Sequence, residues 1–159
     1  MNTISKEIMA IGVLIACEET LGQLYDFFAE QSSELYDFWK KIAAEERAHA
    51  SWLRNLVSHL RDQTLSYKED RFQPEIFRTF HQYLQERLSY ARTNKLTNVI
   101  ALSIALDCEG TFVEKNFFQV LEGDTPALRT VLHNLAVASE KHCQEVKDMW
   151  ERYRLQGKA

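Results

Sequence analysis

Four long stretches of this sequence repeat their apolar residues with the spacing of an α-helix, and this periodicity limits the possible folds more than any other feature. Only two prolines and five glycines occur in the 159 residues, and apolar and polar residues seldom alternate as they do in strands. The hydrophobic share of 45% suffices for a sizeable core. The sequence therefore predicts an all-α fold, with one domain over residues 1–159.

The four helical stretches fall into two pairs. The first pair is predicted at residues 5–61 and the second at 98–155, with a crossover at 62–97. Inside the crossover, the segment EIFRTFHQYLQERLSYAR predicts one shorter amphipathic helix. Two helix pairs joined by a long link describe a four-helix bundle with a crossover connection.

Several residues mark where these helices begin and end. Ser32 or Ser33 is the expected N-cap of the second long helix, because serine hydroxyls satisfy free backbone N–H groups at helix starts. Pro74 and Pro126 suit the first turn of a helix but not its interior. The third long helix is expected to end near Gly123.

The two halves of the chain also resemble each other in sequence. IACEETLGQLYDFF aligns with LDCEGTFVEKNFF, so Glu18 falls on Glu109. IAAEERAHASWL aligns with LAVASEKHCQEV, so His49 falls on His142 and Glu46 falls on Ser139. A repeated helix pair is the simplest account of this alignment.

Ionisable residues occupy the inward positions of the four long helices, where they cost free energy unless they are paired or bind a metal. In helical bundles, a Glu from each of two helices and a Glu-x-x-His from the other two can enclose two metal ions. The alternatives are a surface ion pair for Glu46 with His49, and a core histidine bonded to a carboxylate for His142. The candidate metal ligands are Glu18, Glu46, His49, Glu109 and His142.

With these residues the chain resembles the ferritin-like superfamily, and within it the rubrerythrin-like di-iron carboxylate proteins. The resemblance is carried by Glu18 with Leu21 and Tyr25, by the segment ERAH at 46–49, by Glu109 preceded by Ala105, and by His142. It implies a ferritin-like four-helix bundle that binds iron, or another divalent metal, as two ions or one. It also implies a peroxidase-like or ferroxidase-like reaction of ferrous iron with peroxide or oxygen. Because no rubredoxin-type Cys-x-x-Cys pair is present, the electrons would come from an external donor.

The chain also departs from the family pattern. Ser139 stands where a Glu is expected, and Phe112 stands where rubrerythrins commonly carry an additional Glu. Glu145, one turn beyond His142, is a candidate substitute, whereas Glu45 lies off the inward stripe and is expected to face solvent or a neighbouring helix. The rival interpretation is therefore a non-catalytic helical interaction or scaffold protein that binds one metal or none.

Charge and cysteine content bear on partners and location. The net charge of −4, without a basic cluster, predicts no nucleic-acid partner, and no stretch is expected to have the about 20 apolar residues that cross a bilayer. Three cysteines favour a reducing cytoplasm over a disulfide framework. LIAC, which ends at Cys17, matches a lipoprotein processing site only weakly. A homodimer is the expected assembly.

Overall fold

In the computed structural model, residues 3–59, 65–67, 74–115, 121–123 and 126–157 are described. The prediction of an all-α fold is confirmed, with one very small antiparallel sheet added. The helices are α1 (Thr3–Gln31), α2 (Tyr36–His59), α3 (Pro74–Thr93), α4 (Asn98–Lys115) and α5 (Pro126–Leu155), and the strands are β1 (Leu65–Tyr67) and β2 (Leu121–Gly123).

The helix starts follow from the local sequence. The Ser32 hydroxyl accepts a hydrogen bond from the backbone N–H of Leu35 at 3.1 Å, so Ser32 caps the start of α2. Thr97 does the same for α4, because its hydroxyl accepts from the backbone N–H of Ile100 at 3.3 Å. Helices α3 and α5 begin at Pro74 and Pro126, as expected for residues that have no N–H to leave unpaired.

Gly123 lies in a strand, so the prediction that the third long helix ends near this residue is wrong. Helix α4 ends at Lys115, and Leu121–Gly123 forms the strand β2, which pairs with β1 in the register Leu65↔Gly123 and Tyr67↔Leu121. Because the partner strand lies in the crossover, far away in sequence, the apolar periodicity around β2 carries no sign of this pairing. The sequence comparison placed Phe112 where rubrerythrins commonly carry an additional Glu, and the side chain of Phe112 is not among those that the structure describes.

Helix α1 is the central element of the packing, since both α2 and α3 pack against it while α4 packs against α5. The residues Ile8–Gln31 are long and apolar enough, at a mean hydropathy of 1.3, to meet the criterion for a membrane-spanning helix, which corrects the expectation that no stretch would do so. Within this helix 56% of the most apolar window is buried inside the protein. Both α2 and α3 pack against α1, so this apolar composition is the one expected of a helix with a large buried face.

Candidate metal centre

Five ionisable side chains from α1, α2, α4 and α5 lie in the interior of the bundle, whereas α3, although at 20 residues longer than the 18-residue α4, contributes none of the five. Each is almost completely buried, with between 1% and 3% of its surface exposed. They are Glu18 from α1, Glu46 and His49 from α2, Glu109 from α4 and His142 from α5. The interpretation of Glu46 and His49 as a surface ion pair is therefore wrong.

Glu46 lies between the two histidines. Its Oε2 atom is 3.1 Å from His49 Nδ1, and its Oε1 atom is 2.8 Å from His142 Nδ1. The two imidazole rings are stacked, with centroids 5.0 Å apart and planes inclined by 26°. One ligand atom from each of Glu46, His49 and His142 lies within 4.8 Å of the others, which is close enough for all three to bind a single ion.

Glu18 lies beside this group but forms no hydrogen bond with it. Its Oε2 atom is 3.6 Å from His49 Nδ1, and neither of its oxygens has a hydrogen-bond partner among the described residues. Burial, together with the negative charge of Glu46, raises the pKa of Glu18 well above its usual range. A buried carboxyl group without a partner is costly, and a metal ion at this position would satisfy it, so the donor set fits a bound metal.

Glu109 accepts a hydrogen bond from a tyrosine of another helix. The Tyr25 hydroxyl donates a hydrogen bond to Glu109 Oε1 at 2.6 Å, across 84 residues of sequence. Burial and the nearby charge of Glu46 nevertheless raise the pKa of Glu109. Tyr25 is itself fixed by stacking against Trp39, with ring centroids 5.5 Å apart. Its hydroxyl therefore holds Glu109 in a defined orientation.

Glu45 is the residue of the site that the sequence did not predict. Its Oε2 atom is 2.6 Å from His142 Nε2, although Glu45 lies beside the inward stripe of α2. The hydrogen bond joins residues 97 apart in sequence, and the only available signal was the adjacent carboxyl pair Glu45-Glu46. Glu45 therefore faces the neighbouring helix α5, one of the two expected alternatives, and there it contacts a candidate ligand.

The position that the family pattern fills with Glu is occupied by a buried serine. Ser139 has 6% of its surface exposed, so a side chain at this position of α5 does point into the bundle. Glu145, the suggested substitute, instead forms ion pairs with Lys41 at 3.1 Å and Lys141 at 3.6 Å. Helix α5 therefore contributes His142 to the centre, whereas its one candidate carboxylate is directed to surface lysines.

The electrostatics of the centre follow from these contacts. Burial alone would raise the pKa of Glu46, but the neighbouring Glu18 carboxyl and the hydrogen bonds of Glu46 with His142 and His49 outweigh it and hold that pKa well below its usual range. Burial lowers the pKa of His142, but the hydrogen bond and charge of Glu46 raise it to about 9. Without metal, the centre therefore pairs the Glu46 carboxylate with the His142 imidazolium at neutral pH. Metal binding at His142 would release a proton.

The cysteines next to two candidate ligands behave as core residues. Cys17 and Cys108 are fully buried, and burial raises the pKa of both thiols. A protonated thiol is a poor metal ligand, so packing explains these positions better than metal binding does. Cys17 also lies in the middle of helix α1.

Comparison with known proteins identifies the family. The sequence model of the family Rubrerythrin matches residues 11–120, which is more than half of the chain and includes Glu18, Glu46, His49 and Glu109. The match ends before α5, the helix that carries His142 and Ser139. No curated protein and no solved structure matches the chain. The chain belongs to the rubrerythrin family, a family of ferritin-like di-iron proteins.

Proposed function

We propose that this protein binds iron, or a related divalent metal, through Glu18, Glu46, His49, Glu109 and His142. The observation that carries the proposal is the group of three ligand atoms from Glu46, His49 and His142 within 4.8 Å of one another. Glu18 lies beside this group, and both of its oxygens lack a hydrogen-bond partner among the described residues, so it adds a metal donor that these residues leave unsatisfied.

The mixture of carboxylate and imidazole ligands suits iron, since carboxylates stabilise the higher oxidation state and histidines bind the ferrous ion well. Bound ferrous iron would supply electrons to peroxide or oxygen, and an external donor would return them. The protein's own part is to hold the ligands: Glu46 contacts both histidines, and Tyr25 fixes Glu109 by its hydrogen bond. Leu14 and Leu21, one turn to either side of Glu18 in the sequence of α1, are fully buried, and apolar neighbours of this kind limit the access of solvent to a bound metal.

Anaerobic reconstitution with ferrous iron tests the proposal. After removal of free iron, we expect at least one iron per chain and a higher melting temperature than that of the metal-free protein. Addition of hydrogen peroxide or oxygen should then oxidise the iron, as followed by absorbance. Absence of bound metal together with an unchanged melting temperature would contradict metal binding, and bound iron that resists both oxidants would contradict the oxidoreductase activity alone.

A second candidate function is a non-catalytic helical scaffold, and the side chains of α4 and α5 favour it. Glu109 is already hydrogen-bonded to Tyr25, and His142 is already hydrogen-bonded to two carboxylates. A centre stabilised in this way needs no metal to fold. The scaffold interpretation predicts one iron per chain or none, without turnover. The homodimer remains a prediction, which sedimentation analysis of the purified chain tests for either function.

A further inference from the structure

We propose that Glu45 is a positioning residue of the metal centre, which holds the His142 imidazole by Nε2 so that Nδ1 is the nitrogen presented to the metal. This role rests on the proposed metal binding and extends it to a residue that the family resemblance does not assign. Glu45 touches His142 and none of the other candidate ligands in the described hydrogen bonds.

The two ring nitrogens of His142 face different carboxylates. Nδ1 lies 2.8 Å from Glu46 Oε1, and Nε2 lies 2.6 Å from Glu45 Oε2. Because these nitrogens are on opposite sides of the imidazole, Glu45 is on the side of the ring that faces away from Glu46. His49 also directs Nδ1 toward Glu46, so both histidines present the same nitrogen to the shared carboxylate. The ligand atoms are therefore the Nδ1 atoms, and Glu45 lies outside them.

A carboxylate at Nε2 determines which form of the histidine can bind metal. A neutral imidazole has one proton, and the nitrogen that binds the metal must be the one without it. A hydrogen bond from Nε2–H to a carboxylate keeps the proton there, leaves the Nδ1 lone pair free and makes that nitrogen more basic. Glu45 supplies this carboxylate to α5 from α2, and Ser139 leaves α5 without an inward carboxylate of its own at the repeat position.

The second oxygen of Glu45 is also engaged. Glu45 Oε1 lies 3.8 Å from Lys41 Nζ, and the same ammonium group lies 3.1 Å from Glu145 Oε2. Lys41 thus links α2 to α5 at the edge of the centre, where 32% of the Glu45 side chain is exposed. One oxygen of Glu45 is directed to the surface lysine and the other to the buried histidine, which suits an orienting role.

Glu45→Ala and Glu145→Ala form a matched pair of variants for testing this role. Both remove a carboxylate that contacts Lys41, but only Glu45 contacts His142. With zinc ion as a diamagnetic probe, wild type and Glu145→Ala should show a His142 ligated through Nδ1 with its proton on Nε2, by ¹⁵N NMR of labelled histidine. Glu45→Ala should lose this single tautomer and bind zinc about 10–100-fold more weakly. Glu45→Gln, which keeps a hydrogen-bond acceptor, should restore part of both.

The outcomes separate this role from the metal binding on which it depends. If wild type binds no zinc or iron, the proposed function fails and the role of Glu45 fails with it. If wild type binds metal and folded Glu45→Ala matches it in affinity and in the His142 tautomer, metal binding stands and the role of Glu45 is overturned. Thermal denaturation of each metal-free variant establishes that it is folded, and Glu45→Gln decides the question if Glu45→Ala does not fold.

Discussion

The two halves of the candidate centre differ in how far the protein satisfies its own polar groups. In the half formed by α1 and α2, both oxygens of Glu18 are buried without a hydrogen-bond partner among the described residues. In the half formed by α4 and α5, Glu109 accepts a hydrogen bond from Tyr25, and His142 is hydrogen-bonded at both nitrogens. The first half therefore has more to gain from a metal ion than the second.

The replacement of a ligand explains this difference. In the sequence alignment of the two halves, Ser139 matches Glu46. Glu46 contacts both histidines, and the second half has no carboxylate at the matching position. Glu46 consequently contacts a histidine in each half, and Glu45 contacts the far side of His142. We expect metal to bind most tightly on the side of Glu18 and His49, and four substitutions test this comparison.

Glu46→Ala should have the largest effect, because Glu46 contacts a histidine of each half. Two buried imidazoles would lose their common carboxylate, and the free energy of unfolding should fall by about 3–5 kcal/mol. Metal binding should be lost from both halves. Urea denaturation and metal analysis measure the two effects, with Glu140→Ala, at an exposed position of α5, as the control. Retention of metal by Glu46→Ala in either half would refute the central position of Glu46.

Glu18→Gln should separate stability from metal binding. Because burial raises the pKa of Glu18, the folded metal-free protein retains a proton that the unfolded chain releases above pH 4.5. The stabilisation of the folded state by this group is thus complete below pH 4.5 and is lost as pH rises through the raised pKa of Glu18. Glu18→Gln should not show this decrease in stability with rising pH, so at high pH it should be more stable than metal-free wild type. It should nevertheless bind metal at least about tenfold more weakly.

Unfolding curves of the metal-free proteins across pH, and metal titrations at one pH, measure these two effects of Glu18→Gln. Glu19→Gln is the matched control, since Glu19 is adjacent in sequence but pairs with Arg54 at the surface. An unchanged pH dependence in Glu18→Gln would show that the Glu18 carboxyl is not the group responsible.

Ser139→Glu should make the second half resemble the first. The new side chain would point into the bundle, since Ser139 is buried, and should raise the metal content toward two ions per chain. Without metal, the additional buried carboxyl should lower the free energy of unfolding by about 1–3 kcal/mol. Metal analysis after reconstitution measures the first effect, and Ser139→Gln controls for side-chain size. Equal metal content in the two variants would exclude a vacant ligand position at residue 139.

Tyr25→Phe should have the smallest effect and should be confined to the second half. Loss of the hydrogen bond to Glu109 should lower the free energy of unfolding by about 1–2 kcal/mol and raise the pKa of Glu109 further, because the hydroxyl stabilises the carboxylate form. Metal affinity should fall by less than about tenfold. Tyr90→Phe, at an exposed position, is the control. A larger loss of metal in Tyr25→Phe than in Glu18→Gln would reverse the proposed ranking of the two halves.

Much of the fold could be predicted from the sequence because helices are specified locally. A repeat of 3.6 residues places side chains on a stripe, so the inward positions of Glu18, Glu46 and His142 follow from their neighbours. Ser32 and the two prolines mark helix starts through backbone hydrogen bonding that involves only adjacent residues. The same local information identified the five buried ionisable residues of the centre.

Only the tertiary structure decided how those residues meet. The contacts of Glu45 with His142 and of Tyr25 with Glu109 join residues 97 and 84 apart, and they depend on the rotation and height at which helices pack. The pairing of β1 with β2, and the burial of the apolar helix α1, likewise depend on which distant segments come together. The sequence by itself determined which polar groups would be buried, since periodicity is local, whereas packing determined which of them would be satisfied, since their partners lie on other helices.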